Sequence, residues 1–173
     1  VSGSMEESDK LVNAREALSA FVNQIPNANE RVGLIIFSST ARELVPLTAI
    51  SAGRELLQNS IANLTAGGNT ALLDGVAMAW RKLKALEDTE RINAIVVMTD
   101  GKENNSSTRL TNLVRDLTAS AGSDLPILVF CIAYGDDADL RVLRALSEAS
   151  GAFTSTSDTT DITELYRTLS TYF

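Results

Sequence analysis

Two nearly unbroken apolar runs, residues 92–98 (INAIVVM) and 127–133 (ILVFCIA), constrain this chain more than any other feature. A strand that is apolar at consecutive positions has no face left for water, so both of its faces must be covered. What covers them is also legible. Leu11, Ala14, Leu18, Phe21, Val22 and Ile25 recur at three- and four-residue steps, which predicts a helix over about 6–24. Leu72, Val76, Ala79, Trp80 and Leu83 mark another over 71–86, and further helices are expected at about 53–64, 108–121 and 138–149. Residues 31–37 (RVGLIIF) read as a strand, and the polar turn Ser38-Ser39-Thr40 returns the chain along 41–47 as an antiparallel partner. Pro46 puts that second strand at a sheet edge, because proline donates nothing to a ladder. A short strand at 152–155 and a final helix, opened by Asp161 and Glu164 as a capping box, complete the pattern.

Strands alternating with helices predict a Rossmann-like, doubly wound α/β fold. It has a mostly parallel sheet with one antiparallel edge strand and helices on both faces. A length of 173 residues suits a single domain, and an apolar content of 45% supplies its core. In such sheets ligands bind beyond the carboxyl ends of the strands. Function is therefore sought in Ser2-Gly3-Ser4, the 67–70 loop, residues 99–105 and residues 134–139.

Composition removes several classes of function. A net charge of −7 opposes nucleic-acid binding, which needs a basic face. The chain has no histidine, which eliminates Ser/His and Cys/His nucleophile pairs and histidine metal ligands. Cys131 is the single cysteine, so no internal disulfide forms, and its place in an apolar run predicts a buried, inert thiol. No apolar run reaches the roughly 20 residues of a membrane-spanning helix. Gly67-Gly68 lacks the lysine and spacing of a phosphate loop. Nothing indicates a catalytic base or nucleophile, and the chain reads as a non-enzyme.

The candidate loops instead carry hard oxygen donors. Ser2 and Ser4 precede the first helix, Thr70 opens the helix after Gly67-Gly68-Asn69, and Asp100 follows a buried strand in Met98-Thr99-Asp100-Gly101. Hydroxyls with one carboxylate suit a small hard cation such as Mg²⁺ or Mn²⁺. Hydroxyl ligands add little negative charge, so the ion stays electron-poor and recruits a carboxylate from a protein partner.

With these residues in place, the chain resembles the von Willebrand factor A superfamily. The metal-ion-dependent adhesion site of that family is an Asp-x-Ser-x-Ser motif, a distant Thr and a distant Asp. The resemblance assigns Ser2 and Ser4 to the serines, Thr70 to the threonine and Asp100 to the later aspartate. RVGLIIFS, GGNTAL, MTDG and IAYGDDADL are similar to bacterial members, including proteins that fuse this domain to a solute-binding domain. That similarity implies the outside of a bacterial membrane. It also implies that the motif's first aspartate stands immediately before Val1, at the end of a strand lying between 31–37 and 92–98. Without that strand the two neighbours would lie about 9–10 Å apart, twice the usual spacing, with buried backbone groups unpaired. Upstream residues or another segment are therefore expected to fill the slot. The chain by itself is expected to bind metal weakly.

Blander readings stand beside these. Gly3-Ser4-Met5 matches a common vector remnant. Thr70 also suits a helix N-cap, and Asp100-Gly101 a turn. Asp136, Asp137 and Asp139 read as capping and first-turn carboxylates rather than a calcium cluster. Asn63-Leu64-Thr65 and Asn104-Asn105-Ser106 are sequons that we discount. The alternative function is a structural or regulatory subunit in which the fold is the scaffold and metal is dispensable.

Overall fold

The computed structural model describes residues 10–25, 29–134 and 137–157. Ser2, Ser4, Asp136 and the capping box at Asp161 and Glu164 lie outside them. The elements run α1 (Lys10–Gln24), β1 (Arg31–Phe37), β2 (Ala41–Ala49), α2 (Ile50–Ala62), α3 (Leu72–Lys84), β3 (Asn93–Thr99), α4 (Leu110–Ala121), β4 (Ile127–Tyr134), α5 (Leu140–Ser150) and β5 (Thr154–Ser157).

β3, β4 and β5 form a parallel sheet in that order, with Asn93 opposite Ile127 and Cys131 opposite Thr154. The two-residue period of a strand explains why β3 and β4 are apolar throughout. Ile95, Val97, Ile127, Val129, Cys131 and Ala133 point to one face, where they pack with α3, α4 and α5. Phe130, Ile132 and Tyr134, with Ala94, Val96, Met98 and Leu128, point to the other, against Ala14 and Ala17 of α1. Helices on both faces of a parallel sheet make this the expected Rossmann-like α/β fold.

β1 and β2 form a separate antiparallel pair running from Arg31 opposite Ala49 to Phe37 opposite Ala41. Pro46 sits in β2, which among the described residues pairs with β1 alone, as an edge strand should. Among the described residues, β1 is not paired with β3. Helices hold the two sheets together instead. Phe37 of β1 packs into the cluster that contains α3 and β3. On the opposite face Leu18 and Phe21 of α1 belong to both the β4 cluster and the cluster built on Val45 and α2. Gly75 makes the α3 crossing possible, because a Cβ there would lie 2.9 Å from Cδ1 of Phe37.

Cys131 is 1% exposed, and burial pushes its thiol up to about 12. A thiol-reactive dye at pH 8 is expected to label it only after denaturation; prompt labelling of the folded protein would contradict this burial. The sign of the linkage follows. The folded state keeps the proton that the unfolded thiol loses near 9.0, so this group's contribution falls as pH rises from there towards 12.

Candidate metal site

The rim of the parallel sheet is assembled from two interlocked loops. β3 ends at Thr99, whose hydroxyl accepts the Gly101 N–H at 3.3 Å and so turns the chain tightly around Asp100. Asp100 is 0% exposed, and the Lys10 ammonium of α1 stands 3.5 Å from its Oδ2. A fully buried carboxylate requires a cation or several donors close by, since stripping its water without them is prohibitive. The Lys10 contact brings this part of α1 to the rim where β3 ends.

Thr70, 4% exposed, is presented by the second loop. Gly68 there has φ +82°, which strains any L side chain, and a Cβ on it would also lie 2.7 Å from Ser39 Oγ and push that hydroxyl aside. The closeness is used: Asn69 N–H donates to Ser39 Oγ at 3.1 Å and Ala71 N–H to the Ser38 carbonyl at 2.7 Å. Thr70 is held from the other side by the loop that follows Asp100. Its N–H donates to Asn104 Oδ1 at 2.9 Å, and its carbonyl accepts N–H groups from Asn104 at 3.1 Å and Asn105 at 3.3 Å.

Thr70 is not the N-cap of α3. That position falls to Ala71, which has no capping side chain. The first-turn N–H groups are satisfied from the neighbouring loop: Leu73 N–H donates to Glu103 Oε2 at 3.0 Å and Asp74 N–H to Ser106 Oγ at 3.1 Å. Glu103 also accepts the Ser106 N–H and hydroxyl, each at 2.8 Å. Asp74 returns the interaction, accepting Ser107 N–H at 2.9 Å and Thr108 N–H at 2.8 Å. Burial pushes the Asp74 carboxyl up, but the hydrogen bonds from Thr108 and Ser107 outweigh it and hold it below the usual value.

Sequence reasoning singled out Thr70 and Asp100, and the structure places them in adjoining, hydrogen-bonded loops. It missed Glu103, Asn104, Ser106 and Lys10. One signal pointed to Glu103: a helix opening with Ala71 has no cap of its own, so acceptors must come from elsewhere. Asp139 behaves as read, capping α5 by accepting Val142 N–H at 3.2 Å. Among the described residues no group of three or more Asp, Glu or Cys side chains is placed to cage a metal. Any ion here would rest on hydroxyls and Asp100. Glu103→Ala is expected to cost about 2 kcal/mol, because it leaves the Leu73 N–H of α3 and the N–H groups of Asn105 and Ser106 without their acceptor. Chemical denaturation would measure it, and a loss under about 0.5 kcal/mol, within the range of ordinary surface changes, would contradict this assignment.

The fold is an α/β domain with a fully buried aspartate and a nearly buried threonine at its rim, and comparison gives the family. Residues 1–168 match the von Willebrand factor type A domain, and the chain belongs to that family. It is 28% identical over 152 residues to calcium-activated chloride channel regulator 3A-1 of Mus musculus, covering 87% of this chain and 16% of that protein. The chain therefore spans less than a fifth of the length of that relative. In fold it is similar to a von Willebrand factor type A protein from Catenulispora acidiphila, with a TM-score of 0.82 and 23% identity over 98% of this chain and 39% of that one. It is also similar to proximal thread matrix protein 1 of the mussel byssus in a structure with a zinc-occupied MIDAS motif, with a TM-score of 0.74 and 16% identity over 96% of this chain and 43% of that one.

Proposed function

We propose that this domain is a non-catalytic, metal-ion-dependent protein-binding module that captures a partner's carboxylate through Mg²⁺ or Mn²⁺. The observation that carries the reading is Asp100, fully buried at the rim with a cation already drawn to 3.5 Å of its Oδ2. The lysine ammonium stands where a cation is wanted, which is the fit expected of a metal ligand. Thr70 and Asp100 would hold the ion, with Ser2 and Ser4 completing the hydroxyl set. Support for the serines comes from Lys10, a few positions after them in the sequence, which stands at the same rim. The bound ion would supply a coordination position open to an acidic side chain. The chain's own contribution is rigidity, since Asn104, Asn105 and Glu103 tie the Thr70 loop to the loop after Asp100. A further strand seated between β1 and β3 completes the sheet in this reading.

The same lysine favours a second reading, a structural or regulatory interaction module. If Lys10 neutralises Asp100 permanently, metal is dispensable and partner capture persists in chelator. Thr70→Val separates the two. Removing one hydroxyl while keeping the branched shape is expected to weaken Mn²⁺ binding by the full-length protein about tenfold, close to one lost hydrogen-bond-sized interaction. Calorimetry showing unchanged affinity would sink the metal site as drawn.

A further inference from the structure

We propose that Lys10 is a displaceable internal counter-ion, which keeps Asp100 neutralised in the metal-free domain and must leave when a divalent cation binds. The inference rests on the proposed metal site and adds its regulation. It starts from a conflict of charge. Asp100 has no exposed surface, and the one ion pair it forms among the described residues is with Lys10, 90 positions away in the sequence. A metal bound to Asp100 would meet the ammonium within a few ångströms, where two cations repel strongly in a poorly solvated site. Both cannot occupy it.

Three properties make the lysine the partner that yields. Its separation of 3.5 Å is long beside the ~2.7–2.9 Å of a tight charge-assisted hydrogen bond. Its side chain is 20% exposed, whereas the Asp100 side chain is fully enclosed, so the lysine borders solvent and the carboxylate does not. Its four-carbon stem lets the charge swing away without moving α1, which stays anchored by Ala14 and Ala17 against β4. The rim thus has two arrangements. Without metal, Lys10 places a positive charge against the buried carboxylate. With metal, Lys10 is released to the surface beside the site, where its positive charge favours the acidic partner. The apparent metal affinity is lowered by the cost of this exchange, and binding becomes responsive to metal concentration.

The test uses the full-length protein and MnCl₂ alone as the probe. Lys10→Met removes the charge and keeps the stem, and it is expected to tighten Mn²⁺ binding about tenfold by calorimetry while lowering the melting temperature in chelator. Equal affinity in wild type and Lys10→Met overturns the counter-ion role and leaves the metal reading intact. No Mn²⁺ binding by either protein overturns the metal reading and this inference with it. A second readout needs no variant. The rate at which an acetylating reagent modifies Lys10 in the native protein, followed by peptide mass spectrometry, is expected to rise several-fold when Mn²⁺ is added. An unchanged rate at a Mn²⁺ concentration shown to saturate the site also overturns the exchange.

Discussion

Replacing Asp100 by alanine is expected to reduce Mg²⁺ and Mn²⁺ affinity by about two orders of magnitude. Asp100 is the single carboxylate of the candidate set, and losing a charged, buried ligand costs about 3 kcal/mol, which at 1.4 kcal/mol per tenfold gives that factor. The folded state feels the change differently. In chelator the variant no longer carries a buried carboxylate, but Lys10 loses the anion it faces at 3.5 Å. The stability change is therefore smaller than the loss of either partner from a dry interior would suggest. Wild-type protein at a metal concentration of about 100 times Kd gains about 2.7 kcal/mol by mass action. For a domain of this size that raises the melting temperature by about 5–10 °C. Asp100→Ala should cut this shift to about 1–2 °C at the same metal concentration, and thermal melts with and without Mg²⁺ measure it. A full shift in the variant would place the metal elsewhere.

Leu72→Ala is the second large effect. Leu72 is 0% exposed and lies in the cluster joining α3 to β3, β4 and α5. Truncation should cost about 3 kcal/mol, combining lost transfer energy with a cavity that a sheet-backed site cannot collapse. Because Leu72 follows Thr70 by two positions, the same variant should loosen the loop and weaken metal binding. Leu56, 52% exposed on α2, is the control: Leu56→Ala should stay within about 0.5 kcal/mol of wild type. Urea melts of the two variants distinguish a real core at the site's base from a merely apolar stretch.

The fold was legible wherever burial imposed a period. Residues 92–98 and 127–133 could only be strands covered on both faces, and β3 and β4 fall within one residue of those bounds. Boundaries failed where the chain changes element without a polar signal. β2 passes straight into α2 at Ile50, not Gly53, because Ile50 is drawn into the core at 2% exposure and Ala49 caps nothing. β5 begins at Thr154 rather than Ala152. Gly151 closes α5 in a left-handed conformation, and Phe153 turns in to meet Phe130 edge-on, ring centroids 5.2 Å apart.

At the site, Thr70 and Asp100 were legible because strand ends and helix starts announce themselves locally. Glu103 and Asn104 were not. Their partners, Leu73 and Thr70, lie 30 and 34 positions away, and no spacing rule connects two loops that meet only in the folded rim. Lys10 is further still from Asp100, and one lysine on an amphipathic helix carries no signal that it will turn towards a buried carboxylate. Long-range electrostatics of this kind becomes visible only when the sheet has brought the loops together.

The central claim is that a divalent cation replaces Lys10 at Asp100. Anomalous diffraction from crystals of the full-length protein soaked in Mn²⁺ tests it most directly. A manganese peak is expected in contact with the Asp100 carboxylate and close to Thr70 Oγ1, with the Lys10 ammonium moved away from Oδ2. A soaked crystal with no peak at the rim, and Lys10 still paired with Asp100, would contradict it.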